Sequence, residues 1–315
     1  MHLASAARRD CICMRLFVIS RCFQRHIFRN DQDDKSGLDT TLAYTCRNRW
    51  LMSGEPALKT LLRLLRSGRP VPRVARHRLS IDISQTAVYT IGDVHGCYDQ
   101  LLELESMITE DAAQLPGKKL IIMLGDYVDR GPSSSQVIEH LIHKPFPDFQ
   151  RICLTGNHDI AMLDYLERRL SLPEWWSMGA NSTLLSYGID VERLRLVHRT
   201  PQLLDDTIRA SIPQRHKQFL RSLPIMIEAG GFVFAHAGIR PSLSLNEQRD
   251  EDLVSIRSEF FENAHLLQHW VVHGHTPIAS PRREGRRFNL DTGAFSTGRL
   301  SALRLWNKKG RVFTT

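Results

Sequence analysis

Three short runs gather residue types that hold cations and move protons: Gly92-Asp93-Val94-His95-Gly96, Gly125-Asp126-Tyr127-Val128-Asp129-Arg130-Gly131 and Gly156-Asn157-His158-Asp159. Asp93 and His95 are two apart, so a turn can aim both at one ion. Asp126 has two carboxylate oxygens and can bridge two ions. Asn157 offers an amide oxygen, and His158 beside it an imidazole. Oxygen and imidazole donors without a thiolate suit Mn, Fe or Zn at a reactive site rather than a structural zinc. One such residue alone is commonly a cap or a solvated group; three runs in order are far more specific. Together they describe a metal site.

To act together the runs must arrive at one place. Each follows an apolar, β-branched stretch, at residues 87–91, 120–124 and 152–154. The glycines that open them are 33 and then 31 residues apart. That spacing suits a strand, a crossover helix and the next parallel strand. The carboxyl ends of neighbouring strands are where open α/β sheets place their chemistry. Leu101, Leu102, Leu104, Met107 and Ile108 predict one face of a helix starting near Tyr98. Residues 134–143 and 158–170 read as the next helices, and 172–223 as mostly helical with breaks at Pro201 and Pro213. Strands are expected at 225–228, 232–235, 270–272, 288–291 and 302–306.

The three runs resemble the signature of the calcineurin-like metallophosphoesterases, and more narrowly the bacterial and phage branch of the phosphoprotein phosphatases. Phe234-Ala235-His236-Ala237-Gly238 and Val271-Val272-His273-Gly274-His275-Thr276-Pro277 continue the resemblance, which runs from about residue 87 to the C-terminus. It implies an α/β fold, a two-sheet β-sandwich flanked by helices. It also implies two divalent ions, Mn2+ with Fe or Zn as the other choices, about 3.5–4 Å apart and sharing a hydroxide. By position, one ion takes Asp93, His95 and Asp126, and the other Asp126, Asn157, His236 and His275. His158 becomes the general acid and Asp129 the group that orients it. Arg130 is placed to clamp the phosphate; Arg257 matches a second family arginine, with Arg240 as its competitor. His273 is expected to be a strand residue facing away or a group behind the ligands.

The resemblance leads to a dinuclear-metal phosphoester hydrolase, with a protein serine/threonine phosphatase acting on a phosphoprotein or phosphopeptide as the first expectation. His95, the full 125–131 run and the 176–188 stretch favour it. The alternative is a diadenosine tetraphosphate hydrolase, whose family shares Asp159, the His236-Ala237-Gly238 run and Leu290-Asp291-Thr292-Gly293. A non-catalytic phosphopeptide-binding module is discounted because no ligand or acid position is missing. The turn Arg282-Arg283-Glu284-Gly285-Arg286-Arg287 reads as a hairpin whose four arginines either face an anionic substrate or serve as a soluble charged turn.

Charge is unevenly spread along the 315 residues, whose formal net charge is +8. Residues 1–80 hold 16 Lys/Arg against 6 Asp/Glu, while 81–315 hold 26 against 28. The basicity belongs to an N-terminal extension, so no nucleic-acid partner is expected, and no apolar run is long enough for a membrane. Four of six cysteines also lie there (Cys11, Cys13, Cys22, Cys46). Cys97 and Cys153, isolated in the catalytic region, read as reduced thiols of a cytoplasmic protein. Residues 1–80 are expected to be disordered or loosely attached, faintly transit-peptide-like over the first thirty, with an amphipathic stretch at 57–66 and a plausible translation start at Met52.

Overall fold

Strands buried on both faces demand covering layers on both sides. In β2 (Thr86–Ile91) and β3 (Lys118–Met123), Ala87, Tyr89, Ile91, Ile121 and Met123 point one way, and Val88, Leu120 and Ile122 the other. The computed structural model, which describes Arg73 and residues 75–315, resolves this demand as a two-sheet sandwich with helices outside. One sheet has the order β11-β10-β2-β3-β4, with β4 at Phe149–Cys153, β10 at Ser301–Trp306 and β11 at Lys309–Thr314. Its β2, β3 and β4 run parallel, as the 33- and 31-residue spacings require.

The second sheet has the order β1-β5-β6-β7-β9-β8. It comprises β1 (Arg78–Ser80), β5 (Met226–Ala229), β6 (Phe232–Ala235), β7 (Trp270–His273), β8 (Arg282–Glu284) and β9 (Arg287–Asn289). Val88, Ile122, Leu124 and Leu154 from the first sheet meet Ile227, Phe234 and Val272 from the second in the central core. Each such side chain, taken fully out of water, contributes roughly 1.5–3 kcal/mol.

On the outer face of the first sheet lie α1 (Tyr98–Ala112), α2 (Ser134–Ile142) and α3 (Asn157–Leu166). α1 buries Leu101, Leu104 and Ile108 and turns Leu102 outward. α3 stops short of the expected residue 170: Arg168 takes a left-handed backbone, and the Asp164 carbonyl accepts the amides of Arg169 and Leu170. The segment that follows holds five helices: α4 (Leu172–Trp176), α5 (Ala180–Ser186), α6 (Val191–Val197), α7 (Pro201–Ser211) and α8 (Gln214–Ser222). Pro201 opens α7 at a position where a missing N–H costs nothing, and Pro213 caps α8. The further breaks fall at Gly179 and Gly188, both left-handed.

Three strands escaped the sequence reading. β11 is polar and mostly exposed, burying Phe313, so it lacks an apolar pattern. β8 is an exposed edge of the Arg-rich hairpin, whose Gly285 turn was expected. Residues 78–80, grouped by sequence with the extension, form β1 and pair parallel with β5. Just before them the Arg76 guanidinium donates to the carbonyls of Leu220 and Leu223 at 3.0 and 2.9 Å. The expected helix at 57–66, the Met52 start and the four N-terminal cysteines lie outside the described residues. Cys97 and Cys153 are buried and unbridged, with burial pushing their thiols up to about 11 and about 12. Among the described residues no helix is long and apolar enough to cross a membrane.

Candidate metal centre

All the expected ligands leave strand ends on tight turns. Asp93 and His95 follow β2, Asp126 follows β3, Asn157 starts α3 after β4, His236 follows β6 and His275 follows β7. Five residues of these turns, His95, Asp126, Asp129, Arg130 and His275, carry left-handed φ between 45° and 70° without being glycine. Such backbone is costly and persists only where the surroundings fix it. Here Asp159 does much of the fixing. Its two oxygens accept the amides of Asp126, Gly156 and Tyr127 at 2.8, 2.8 and 2.9 Å, tying the turn after β3 to the turn after β4.

The donor atoms converge. Asp126 Oδ2 lies 3.4 Å from His95 Nε2 and 3.4 Å from His236 Nε2. His236 Nε2 is also 3.0 Å from Asn157 Oδ1 and 3.2 Å from His275 Nδ1, which is itself 2.9 Å from Asn157 Oδ1. Two groupings of potential ligands result: His95, Asp126 and His158, and Asp126, His236 and His275, each with its donor atoms within 4.8 Å. Asp126 belongs to both. Asp93 lies outside the first triangle: its Oδ2 accepts the His275 amide at 3.0 Å, and its Oδ1 is buried with no hydrogen-bond partner.

The residues fit a pair of cations. The Nδ1 atoms of His95 and His236 face the carbonyls of Val128 and Leu124 at 2.9 and 3.2 Å. A carbonyl accepts only, so each ring proton sits on Nδ1, and each Nε2 lone pair points at Asp126 and the other acceptors. Burial lowers both rings, His95 to about 4, and takes His275 to about 3, so all three are neutral donors of lone pairs. Burial, and then the carboxylates of Asp291 and Asp126, push Asp93 well above the ordinary range. Buried acids and lone pairs crowded together in this way are what a divalent ion reverses. The expected second set is gathered by the fold, and of the first set His95 and Asp126 are, with Asp93 alongside.

One member of the first triangle, His158, is also paired with a carboxylate. His158 Nδ1 is 2.8 Å from Asp129 Oδ2, in a contact sealed from water. Asp129 is saturated by two residues from the helical segment: Trp175 Nε1–H donates to Oδ2 at 3.1 Å, and the Thr183 hydroxyl donates to Oδ1 at 2.8 Å. The same hydroxyl accepts the Asp129 amide at 2.7 Å. Burial works against the charged imidazole of His158, but Asp126 and Asp129 outweigh it and raise its affinity for a proton. Arg130 Nη2 lies 3.0 Å from His158 Nε2.

The arginines separate by partner. Arg240 is held bidentate by Asp252, at 3.0 and 2.8 Å, and also pairs with Glu259, so its charge is already spent. Arg257 is exposed, with its Nη1 3.2 Å from the Thr276 hydroxyl next to His275. In the hairpin, Arg282 and Arg287 pair with Glu284, Arg286 donates to the Gln268 carbonyl, and Arg283 stacks 5.2 Å from the Trp270 ring. Of the four guanidiniums the sequence offered to an anion, those of Arg282 and Arg287 share Glu284 inside the hairpin, Arg286 reaches the Gln268 carbonyl ahead of β7, and Arg283 lies on Trp270 of β7. His273 is buried at the end of β7 against Phe260, a strand residue as expected.

Sequence reasoning missed Trp175, Thr183, Asp291 and Phe295. Trp175 precedes and Thr183 lies within the 176–188 stretch, which carried a family resemblance without giving either residue a role; that role depends on where α4 and α5 dock. Asp291 is buried beside Asp93 and accepts the Gly293 amide at 2.9 Å. The Leu290-Asp291-Thr292-Gly293 run was a signal for it, though not one that gave it a place.

A model of the calcineurin-like phosphoesterase family matches residues 86–299. The chain is similar to the asymmetrical bis(5'-nucleosyl)-tetraphosphatase PrpE of Halalkalibacterium halodurans, 26% identical over 238 residues, covering 68% of this chain and 88% of that protein. It is likewise similar to the protein of the same name from Bacillus subtilis, 25% identical over 234 residues, with the same coverage of 68% and 88%. A crystal structure provisionally assigned as a diadenosine tetraphosphatase shares the fold, with TM-score 0.53 and 19% identity over 76% of this chain and 98% of that one.

Proposed function

Since this chain belongs to the calcineurin-like phosphoesterase family, we propose that it hydrolyses bis(5'-nucleosyl) tetraphosphates such as diadenosine tetraphosphate. The observation that carries the hydrolase reading is Asp126, shared by two buried clusters of imidazole and oxygen donors, one of which includes His158 paired with Asp129. The relatives' names favour a dinucleotide over the phosphoprotein first expected from the sequence.

When bound, two divalent cations supply Lewis acidity toward phosphate oxygens and toward water. Asp93, His95 and Asp126 would hold one of them, and Asp126, Asn157, His236 and His275 the other. Arg130 and Arg257, neither locked in an ion pair among the described residues, bind the outer oxygens of the attacked phosphate through their forked donors. His158 delivers a proton from Nε2 to the departing oxygen, while Asp129 keeps the other ring nitrogen protonated and the ring aimed. Trp175 and Thr183 hold Asp129 so that its position does not drift between turnovers.

The test is hydrolysis by the purified full chain, stripped of metal and reconstituted with Mn2+, offered diadenosine tetraphosphate and a phosphothreonine peptide in parallel. Faster turnover of the dinucleotide, slowed in His158→Asn, is the expected result. Preference for the peptide overturns the substrate and restores the phosphoprotein reading. Activity on neither, with two metals bound, overturns the hydrolase reading itself.

A further inference from the structure

Phe295 is a large apolar side chain left 39% exposed at the mouth of the site, and nothing in its sequence context marks it out. It stands on α9 (Ala294–Thr297), a single turn between two left-handed glycines, Gly293 and Gly298. That turn is locked from within. The Thr297 hydroxyl donates to the Thr292 carbonyl at 2.8 Å, the Thr292 hydroxyl to the Arg299 carbonyl at 2.6 Å, and Asp291 accepts the Gly293 amide. A rigid mount for an exposed aromatic ring is unusual economy unless the ring has something to hold.

What it holds is Arg130. The guanidinium carbon lies 4.9 Å from the Phe295 ring centroid, while the ring meets His95 at 5.4 Å and 81°. The base of the Arg130 side chain packs near Gly179, where a Cβ would come within 3.2 Å of the arginine's Cγ. Among the described residues Arg130 forms no ion pair with a carboxylate, in contrast to Arg240. A carboxylate partner would fix the guanidinium but consume its N–H donors and its charge. An aromatic face attracts the cation through its quadrupole and leaves the in-plane donors free for an anion.

We infer that Phe295 is a positioning residue for Arg130, orienting its guanidinium toward the phosphate without neutralising it. This rests on the phosphate-hydrolase reading of the site but not on which phosphate compound is cleaved. Phe295 itself makes no contact with the reacting atoms, and its effect passes through Arg130.

The test is the affinity of inorganic phosphate for the Mn2+-loaded full chain, measured by calorimetry and as competitive inhibition, for Phe295→Ala, Phe295→Leu and Phe295→Tyr. Alanine and leucine should weaken phosphate about 5-fold, the scale of one partly exposed cation–π contact, and raise KM with kcat little changed. Tyrosine, which keeps the π face, should restore wild-type affinity. In an Arg130→Ala background the Phe295→Ala change should have no further effect. The leucine variant carries the same comparison should alanine disturb folding, which far-UV circular dichroism reports. Unchanged phosphate affinity in the leucine and alanine variants overturns the inference while leaving the hydrolase reading intact. A loss confined to diadenosine tetraphosphate, with phosphate unaffected, also overturns it, since the ring would then be stacking a base. Failure of the wild type to cleave either substrate sinks the proposed function, yet the phosphate comparison still decides the role of Phe295.

Discussion

Gly274→Ala should disable the metal centre without unfolding the protein. A Cβ built on Gly274 falls 1.9 Å from Asp93 Oδ1, whereas such contacts below 3.0 Å essentially never occur. The carboxylate and the new methyl must therefore part by at least about 1 Å. Neither side gives easily. The Gly274 amide is bound to the His236 carbonyl at 2.7 Å, and Asp93 Oδ2 to the His275 amide at 3.0 Å. Backbone conformation raises no objection, since Gly274 is not left-handed, so the strain falls on the carboxylate. Displacing a group next to the metals commonly costs 10- to 100-fold in metal affinity. A 1 Å error at a reacting centre costs about 100-fold in rate. Calorimetric titration with Mn2+ should show one site weakened at least 10-fold, and kcat/KM should fall about 100-fold. Thermal unfolding of the metal-free protein should stay within a few degrees of wild type. Two Mn2+ bound at wild-type affinity with unchanged kcat/KM would refute the argument that Asp93 is a ligand pressed against Gly274.

Other expectations are as direct. His158→Asn should slow a phosphothreonine peptide by roughly 10²–10⁴-fold, the usual worth of a positioned acid, but diadenosine tetraphosphate by less, because a departing phosphate is a weaker base than an alkoxide; steady-state kinetics on both substrates would show equal losses if His158 acts only by position. Thr183→Val leaves the buried Asp129 amide and Oδ1 each one partner short, and should cost roughly 2 kcal/mol in urea unfolding together with a fall in kcat. Arg282→Ala should leave KM for either substrate unchanged, since its guanidinium is paired with Glu284; a rise in KM would return it to the substrate. Removing metal with a chelator should lower the unfolding temperature as well as abolish activity, and Mn2+ in excess should restore both; an unshifted unfolding curve would mean that the convergent imidazoles hold nothing.

The sequence by itself, with the family resemblance its runs carry, named the candidate ligands. Ligand type is local, and so is the turn that follows a strand, so Asp93, His95, Asp126, Asn157, His236 and His275 could be named from short runs. The spacing of three glycines was enough to predict parallel strands, because a crossover helix has a minimum length. Buried strands announce themselves by continuous apolar residues, whereas β11 and β8, exposed at edges, carry no such pattern and went unseen. Arg240 and Arg257, alike in sequence, were separated by the docking of Asp252 and Glu259 against one of them. In the same way Arg282, Arg286 and Arg287 look free for a substrate until Glu284 and Gln268 are placed beside them. Trp175 and Thr183 reach Asp129 from 46 and 54 residues away. Such partnerships depend on how helices pack rather than on what either segment prefers alone. Composition and local geometry therefore chose the reactive groups, and only the tertiary fold chose which of them are held, paired or left free to act.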